Sequence, residues 1–305
     1  MKDRLIRGLT KAGNFRFFAV DGTELCRVAS NLHQLSPGEK HILGRLLCAA
    51  VMMGADLKNV KDLITINIDS VGPVKGAMAT ADCRGNVKGY LKSPMRENPD
   101  AIQYADYLPE NLLGKGQLTV IRDMGLKHPH IGQIELAYGT IARDLTYYFA
   151  HSEQIPTSIS LGVLLDEQGE IKKAGGFIIQ VLPGTGNEEI ELLEESLAKF
   201  PNFTDILDME YDLEKIITDI IFHQFEVEIM DSMYCKFSCN CSQERFAQGL
   251  DLLERDEIEQ AISDDESIEM NCHFCNKKYQ YDPLYLTKYL LNQKDKSKNE
   301  AGKIQ

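Results

Sequence analysis

Short apolar runs separated by turn residues dominate the first 184 positions of the chain. Five of these runs are rich in Val, Ile and Leu and are bounded by Gly, Pro or Asp, which is typical of β-strands: residues 63–70, 117–124, 131–139, 158–166 and 175–184. Residues 36–57 and 144–154 instead repeat apolar positions at helical spacing, and Ser36 with Glu39 predicts a capping box at the first of these helices. The pattern therefore predicts an α+β domain over residues 1–184.

A different pattern follows between residues 185 and 234. Apolar side chains recur at helical spacing over residues 187–200 and 203–225. Residues 185–234 carry 14 acidic and 2 basic side chains, a net charge of −12. Such helices need another surface to cover, because they bury little among themselves and their like charges repel. We predict a helical acidic linker, which is either an ordinary amphipathic connector or a conditionally stable cover that can expose its partner surface.

Charge and hydropathy narrow the function classes. The whole chain carries a net charge of −13, whereas residues 1–184 carry +2. An acidic chain of this kind is a poor candidate for sequence-independent nucleic-acid binding, which depends on neutralising phosphates. Its most apolar stretch, residues 42–57, is interrupted by Arg45 and is too short to span a bilayer, and the first residues show no signal-peptide pattern. We expect a soluble cytoplasmic protein with no membrane or nucleic-acid partner.

Four of the eight cysteines form two close pairs near the end of the chain. The first pair is a C-x-C motif, and 30 residues later comes a C-x-x-C motif; the four residues are Cys239, Cys241, Cys272 and Cys275. Two such thiol pairs are typical of a tetrahedral Zn²⁺ site, with one zinc ion per chain. We therefore predict a small zinc-binding domain over residues 235–291 and a polar tail over residues 292–305.

The two cysteine pairs admit two interpretations. One is a purely structural zinc site. The other is a redox switch, because a disulfide across the single residue of a C-x-C motif closes a small, strained ring that is readily reduced. Zinc-bound thiols are already thiolates, so an oxidant can attack them once the metal loosens. A domain with so few large apolar side chains is expected to depend on zinc for its folding.

No metal or catalytic role is assigned to the other cysteines and histidines. Three scattered cysteines are expected to be buried small apolar residues or bystanders: Cys26, Cys48 and Cys83. Cys235 is interpreted as a bystander thiol, His273 as pointing outward from the C-x-x-C turn, and residues 128–130 (HPH) as a polar loop. The sequence shows no glycine-rich phosphate loop and no Ser/His/Asp arrangement. We therefore predict no enzymatic activity.

Several stretches of the chain resemble one known family. The C-N-C motif, the 30-residue spacing and the C-H-F-C motif resemble the redox-switch zinc site of the bacterial thirty-three-kilodalton heat-shock protein family. Three stretches of the first domain are similar to characteristic stretches of that family: GQLTVIRDMG (116–125), YYFAHSEQIPTSISLGV (147–163) and AGGFIIQVLPG (174–184). The resemblance covers nearly the whole chain in matching order.

The resemblance implies a redox-regulated holdase chaperone. In that family the N-terminal α+β domain carries much of the client-binding surface and a linker covers it in the reduced state, roles that fall here on residues 1–184 and 185–234. The family cysteines correspond to the four residues of the two motifs, which would bind Zn²⁺ when reduced. When oxidised they would form the disulfides Cys239–Cys241 and Cys272–Cys275. Zinc release, linker unfolding and dimerisation would then let the protein bind unfolding client proteins without ATP.

Two alternatives stay open at this point. Cys235 is additional to the family pattern and could compete for the first disulfide. The rival function is a constitutive adaptor whose zinc module binds one defined partner and whose cysteines are never oxidised in the cell.

Overall fold

The computed structural model describes residues 2–94 and 109–301, without the side chains of residues 109–110 and 294–301. The chain forms two compact units, Met1–Ser238 and Cys239–Gln305. The first unit has two buried apolar clusters and the second unit has one.

The first unit contains two β-sheets whose strands are mostly antiparallel. Their strands are β1 (Arg4–Thr10), β2 (Phe15–Asp21), β3 (Leu63–Ser70), β4 (Gly76–Asp82), β5 (Asn86–Leu91), β6 (Gly116–Asp123), β7 (His130–Glu135), β8 (Thr157–Leu165), β9 (Ile171–Val181), β10 (Val227–Tyr234) and β11 (Lys236–Phe237). The first sheet has the order β10-β1-β2-β9-β8 and is antiparallel throughout. The second has the order β11-β5-β4-β3-β6-β7, in which only the short pairing of β11 with β5 is parallel.

The helices of the first unit lie on and between these sheets. They are α1 (Thr23–His33), α2 (Pro37–Gly54), α3 (Pro109–Leu113), α4 (Ile141–Tyr148), α5 (Asn187–Ala198), α6 (Phe203–Asp208) and α7 (Leu213–Lys215), with π-helical turns at Phe149–Glu153 and Ile216–Ile221. Helix α2 contacts β8 and β9 of the first sheet and β4 and β5 of the second. It is buried on nearly all sides because its sequence is apolar on nearly all sides. The predicted capping box of Ser36 and Glu39 is present at its start.

The opposite face of the first sheet is covered by the helices that follow β9. Alternate residues of β1, β2 and β9 point to this face and form what we call the Phe-rich face: Ile6, Phe15, Phe17, Ala19, Phe177 and Ile179. Helices α5, α6 and α7 and the second π-helical turn, together the covering segment (residues 187–225), bury their own apolar stripe on it. The buried apolar residues of the covering segment are Leu193, Phe203, Ile206, Leu207, Leu213, Ile216, Ile217, Ile221 and Phe222.

The second unit is a small arrangement of helices around one hairpin. Its elements are α8 (Gln243–Ala247), a 3₁₀ turn (Gln248–Leu252), α9 (Arg255–Ser263), the antiparallel strands β12 (Ile268–Asn271) and β13 (Lys278–Tyr281), and α10 (Pro283–Ala301). Its buried residues are Ala247, Leu250, Ile258, Cys272, Tyr279, Tyr281 and Leu286.

Most elements predicted from the pattern are confirmed, with shifts of a few residues at their ends. The five predicted strands correspond to β3, β6, β7, β8 and β9, and the two helices to α2 and α4 with its π-helical extension. The helical prediction for the covering segment is also confirmed. The α+β class of the first domain holds.

Two details of the prediction are wrong. Residues 227–234, included in the helical linker, form strand β10, because VEIMDSMY alternates its side chains between two faces and pairs with β1. Residues 235–238, included in the zinc domain, lie in the first unit, where Lys236 N donates to Gly85 O at 2.9 Å. Helix α10 continues to Ala301, through most of the predicted polar tail. Among the described residues, no helix combines the length and apolar character needed to cross a bilayer.

Candidate metal centre

The four predicted zinc ligands come from two separate segments of the second unit. Cys239 and Cys241 lie in the irregular stretch that enters α8, and Cys272 and Cys275 lie in the turn between β12 and β13. Two helices and a 3₁₀ turn separate the segments along the chain. A metal held by all four sulfurs would therefore cross-link the start of the unit to its hairpin.

The hairpin turn has the backbone conformation that directs both of its sulfurs to one point. Cys272 O accepts hydrogen bonds from Cys275 N at 3.3 Å and from Asn276 N at 2.7 Å. Asn276 has φ of 56°, in the left-handed region that Asn tolerates better than most residues. Lys277 O then accepts from Cys272 N at 2.9 Å and closes the turn.

The sulfur positions fit a tetrahedral metal ion. All four Sγ atoms lie within 4.8 Å of one another. Cys239 Sγ is 3.6 Å from Cys272 Sγ, and Cys241 Sγ is 3.4 Å from Cys275 Sγ. A tetrahedron of zinc–sulfur bonds of about 2.3 Å has sulfur–sulfur edges of about 3.8 Å. Four cysteine sulfurs could therefore hold a metal ion, and the distances of 3.6 and 3.4 Å are close to the edges expected for zinc.

Three of the four thiols have a pKa that departs from the usual value of cysteine. Burial raises the pKa of Cys239 to about 11 and also raises the pKa of Cys275. Burial opposes ionisation of Cys241 too, but hydrogen bonds from the Tyr279 hydroxyl and the neighbouring thiols outweigh it and lower its pKa to about 7. Because zinc binds thiolates, a metal would have to displace the protons of Cys239 and Cys275 at neutral pH.

Two aromatic residues support the sulfur cluster, and sequence reasoning missed their role. The Tyr279 hydroxyl donates to Cys241 Sγ at 3.0 Å, and its ring stacks on Phe246 with a centroid distance of 4.9 Å. Lys277 Nζ lies 5.2 Å from the centroid of the same ring. The available signal was the alternation in KYQY after the C-x-x-C motif, which places Tyr279 and Tyr281 on one face of a strand.

The remaining candidate residues lie outside the cluster. Among the residues that the structure describes, the four cysteines are the only group of His, Cys, Asp or Glu close enough to share a metal ion. His273 is exposed, as predicted. His128 and His130 are also exposed, the first just before β7 and the second at its first position. Cys235 is buried in the first unit with its Sγ 4.0 Å from Asp21 O, and burial raises the pKa of its thiol.

Comparison with known proteins points to one family over nearly the whole chain. The family model described as "Hsp33 protein" matches residues 3–282. The chain is 42% identical over 290 residues to the 33 kDa chaperonin of Agathobacter rectalis, an alignment that covers 92% of this chain and 97% of the relative. It is 40% identical over 298 residues to the 33 kDa chaperonin of Clostridium perfringens strain SM101, covering 97% of this chain and 94% of the relative.

A solved structure shares the fold. The crystal structure of the 33 kDa chaperonin (heat shock protein 33 homolog) from Thermotoga maritima superposes with a TM-score of 0.86 at 30% identity, covering 97% of this chain and all of that one. Fold and site thus define a two-unit protein: an α+β unit with a covered apolar face, and a small unit organised around four cysteines. The chain belongs to the Hsp33 family.

Proposed function

We propose that the protein is a redox-regulated, ATP-independent chaperone that holds unfolding client proteins when the four cysteines are oxidised. The observation that carries this proposal is the covered Phe-rich face of the first unit. A broad apolar surface suits the exposed apolar segments of unfolding proteins, because its burial is favourable and makes no demand on client sequence. In the reduced protein this surface would be covered, and the protein would be inactive in the cytoplasm.

The Phe-rich face is large and aromatic. Phe15 and Phe17 present their rings to Phe222 of the covering segment at centroid distances of 6.0 and 5.6 Å. Phe177 similarly meets Phe200 and Phe203 at 5.7 and 6.0 Å. Removing the covering segment would expose these rings of the sheet together, on a face with no charged residue among its six members.

The covering segment has several features of a conditionally stable structure. Helices α6 and α7 have only six and three residues, and the next turn is π-helical, a backbone form that is rare in proteins. The acidic side chains of residues 185–234 outnumber the basic ones by 14 to 2. Ion pairs to the sheet offset part of this repulsion, among them Lys172 with Asp208 at 2.7 Å and Arg4 with Glu214. The segment therefore depends on its apolar contacts to stay in place.

The four cysteines supply the proposed switch. When bound, zinc would hold all four thiolates and so stabilise the fold of the second unit, an effect of roughly 10–16 kcal/mol in zinc-finger peptides near neutral pH. In the oxidation we propose, each pair of thiols transfers two electrons and two protons to one hydroperoxide, whose O–O bond breaks to give water and an alcohol, or two waters from hydrogen peroxide. One disulfide forms per pair. The chain then lacks the thiolates that a metal needs.

The choice of pairs decides whether the unit can open. Disulfides within the motifs, Cys239–Cys241 and Cys272–Cys275, leave the start of the unit and its hairpin without a covalent connection. Disulfides between the motifs would instead keep those segments tied. All sulfurs are within 4.8 Å, so either pairing is within reach. We propose the within-motif pairing, because only it converts oxidation into loss of the cross-link. Loss of structure in the second unit would then weaken the neighbouring strands β11 and β10 and, through them, the covering segment. The Phe-rich faces exposed on two chains would favour a homodimer.

Light scattering from a heat-unfolding client protein tests this function. The zinc-loaded reduced protein should leave client aggregation unchanged, and the same protein pretreated with hydrogen peroxide should suppress it at an equimolar ratio. Re-reduction with zinc should abolish the suppression. Suppression in neither state would contradict a chaperone function and favour a zinc-module adaptor. Equal suppression in both states would contradict redox control while leaving a chaperone.

A further inference from the structure

Two cysteines that the zinc site does not use lie side by side in the core of the first unit. Cys26 belongs to α1 and Cys48 to α2, and their Sγ atoms are 3.8 Å apart. Their exposed fractions are 1% and 0%. The sulfurs are in van der Waals contact, and the two cysteines lie 22 residues apart along the chain. A bond between them would therefore join α1 and α2 across their packed faces.

Each of the two sulfurs lies next to a glycine. A Cβ atom at Gly22 would come within 3.1 Å of Cys48 Sγ, and one at Gly44 within 3.5 Å of Cys26 Sγ and 2.8 Å of Val163 Cγ2. A disulfide bond of about 2.05 Å requires the sulfurs to close by less than 2 Å. Neither glycine carries a side chain, although Val163 packs against Gly44, and rotation of the cysteine side chains about their Cα–Cβ bonds would supply the movement.

In the folded first unit, burial protects the Cys26 and Cys48 thiols from oxidants in solution. The contact with Cys26 and burial raise the pKa of Cys48, so its thiolate is disfavoured where the oxidant has no access. Oxidation would therefore require a local opening between α1 and α2. Helix α1 is a short helix of 11 residues at the surface of α2, and heat increases the population of such openings. The same heat unfolds client proteins.

We propose that Cys26 and Cys48 form a second oxidation site, an intramolecular disulfide that hydroperoxides install during transient opening of the first unit. One thiolate attacks the peroxide, the O–O bond breaks, and a sulfenic acid forms with release of water or an alcohol. The second thiol then displaces water from that sulfur and completes the disulfide. Two thiols lose two electrons and two protons, and the peroxide accepts them.

The consequence is a covalent clamp between α1 and α2. Helix α2 contacts β8 and β9, whose sheet carries the Phe-rich face on its other side. The clamp would limit further opening of the unit under combined oxidant and heat. This protective role rests on the proposed chaperone function, whereas the disulfide itself does not.

Peptide mapping by mass spectrometry tests the site on the full zinc-loaded chain. The protein is treated with hydrogen peroxide at 25 °C and just below its thermal transition, then alkylated with N-ethylmaleimide and digested. We expect the Cys26–Cys48 link to be absent at 25 °C and to become the main product of both residues at the higher temperature. Disulfides among the four cysteines of the second unit show that the oxidant acted.

A matched variant gives the second readout. In the reduced state, the amide hydrogens of α1 and α2 should exchange at the same rate in Cys26→Ala/Cys48→Ala as in the parent chain. After oxidation at the higher temperature, they should exchange at least tenfold faster in the variant than in the parent. Quantitative alkylation of both cysteines after hot oxidation would overturn the proposal. Links from Cys26 to Cys83 or Cys235 at equal yield would also overturn it, because they would indicate random pairing. Neither readout involves client binding, so failure of the chaperone assay leaves this test intact.

Discussion

The hydroxyl of Tyr279 donates a hydrogen bond of 3.0 Å to Cys241 Sγ, one of the four clustered sulfurs. This bond favours the thiolate of Cys241 and fixes its position in the four-sulfur cluster. Hydrogen bonds to metal ligands generally strengthen metal binding by orienting those ligands.

Tyr279→Phe should therefore weaken zinc binding. Removal of such supporting groups lowers metal affinity about 10- to 100-fold in other sites, and we expect an effect at the lower end because the ring and its stacking on Phe246 remain. Competition with a chromophoric zinc chelator measures the change. Tyr289→Phe is the control, since its hydroxyl bonds Asp251 and no sulfur. Equal zinc affinities for Tyr279→Phe and the parent would show that the hydrogen bond does not support the site.

Phe222→Ala should loosen the covering segment without any oxidant. Phe222 is fully buried against Phe15 and Phe17, and truncation of a buried Phe costs about 3–5 kcal/mol. We expect faster hydrogen exchange over residues 187–225 and partial suppression of client aggregation by the reduced protein.

The matched control for that variant is Met209→Ala in the same segment, where the side chain is 71% exposed and contributes little to the cover. A Phe222→Ala protein with loosened covering helices but no gain in client binding would argue against the Phe-rich face as the client surface.

Asp3 gives the first unit a predictable pH dependence. Burial raises its carboxyl pKa from 3.8 to about 6, although it accepts hydrogen bonds from Glu24 N and Leu25 N at the start of α1. The folded state thus holds the proton more tightly than the unfolded state. Its contribution to stability is fully present below pH 3.8 and is lost as pH rises through about 6, a change on the order of 2–3 kcal/mol.

Asp3→Asn should remove this contribution to the pH dependence of the stability of the first unit. Hydrogen exchange of α1, measured from pH 4 to pH 7 and corrected for the intrinsic exchange rate, reports the local stability. The difference in opening free energy between parent and variant should change across this window and level off above it. A constant difference at all pH values would mean that Asp3 titrates normally.

Cys235→Ala should leave the disulfides of the oxidised protein unchanged. The Cys235 thiol is buried in the first unit, and its raised pKa disfavours the reactive thiolate. Peptide mapping after oxidation should recover Cys239–Cys241 and Cys272–Cys275 from both proteins. Recovery of a Cys235–Cys239 link from the parent would show that the extra cysteine competes.

Local structure could be predicted from the sequence better than the pairing of strands. The capping box of Ser36 and Glu39 and the strand at residues 63–70 depend on near neighbours, and the structure has both. Strand β10 was missed because its partner, β1, lies more than 200 residues away, and its alternation follows a long helical pattern. Pairing with a distant edge is a tertiary interaction that local periodicity does not report.

At the candidate site, too, the sequence predicted the local motifs but not the contacts between distant segments. Spacing alone selected four cysteines that the structure brings within 4.8 Å of one another. The contribution of Tyr279 and the contact between Cys26 and Cys48 depend on how separate segments pack, which the spacing of these residues does not specify. The covered Phe-rich face likewise required the sheet order, because Phe17 and Phe177 become neighbours only when β2 pairs with β9.

The central claim is that oxidation of the four cysteines releases the covering segment. Hydrogen exchange over residues 185–234 tests it most directly, with the zinc-loaded reduced protein compared with the peroxide-treated protein after its zinc loss has been verified. We predict that amides of α5, α6 and the π-helical turn Ile216–Ile221 exchange at least tenfold faster in the oxidised protein, while those of α2 do not change. Unchanged exchange in these helices, in protein that has lost its zinc and gained both disulfides, would contradict the account.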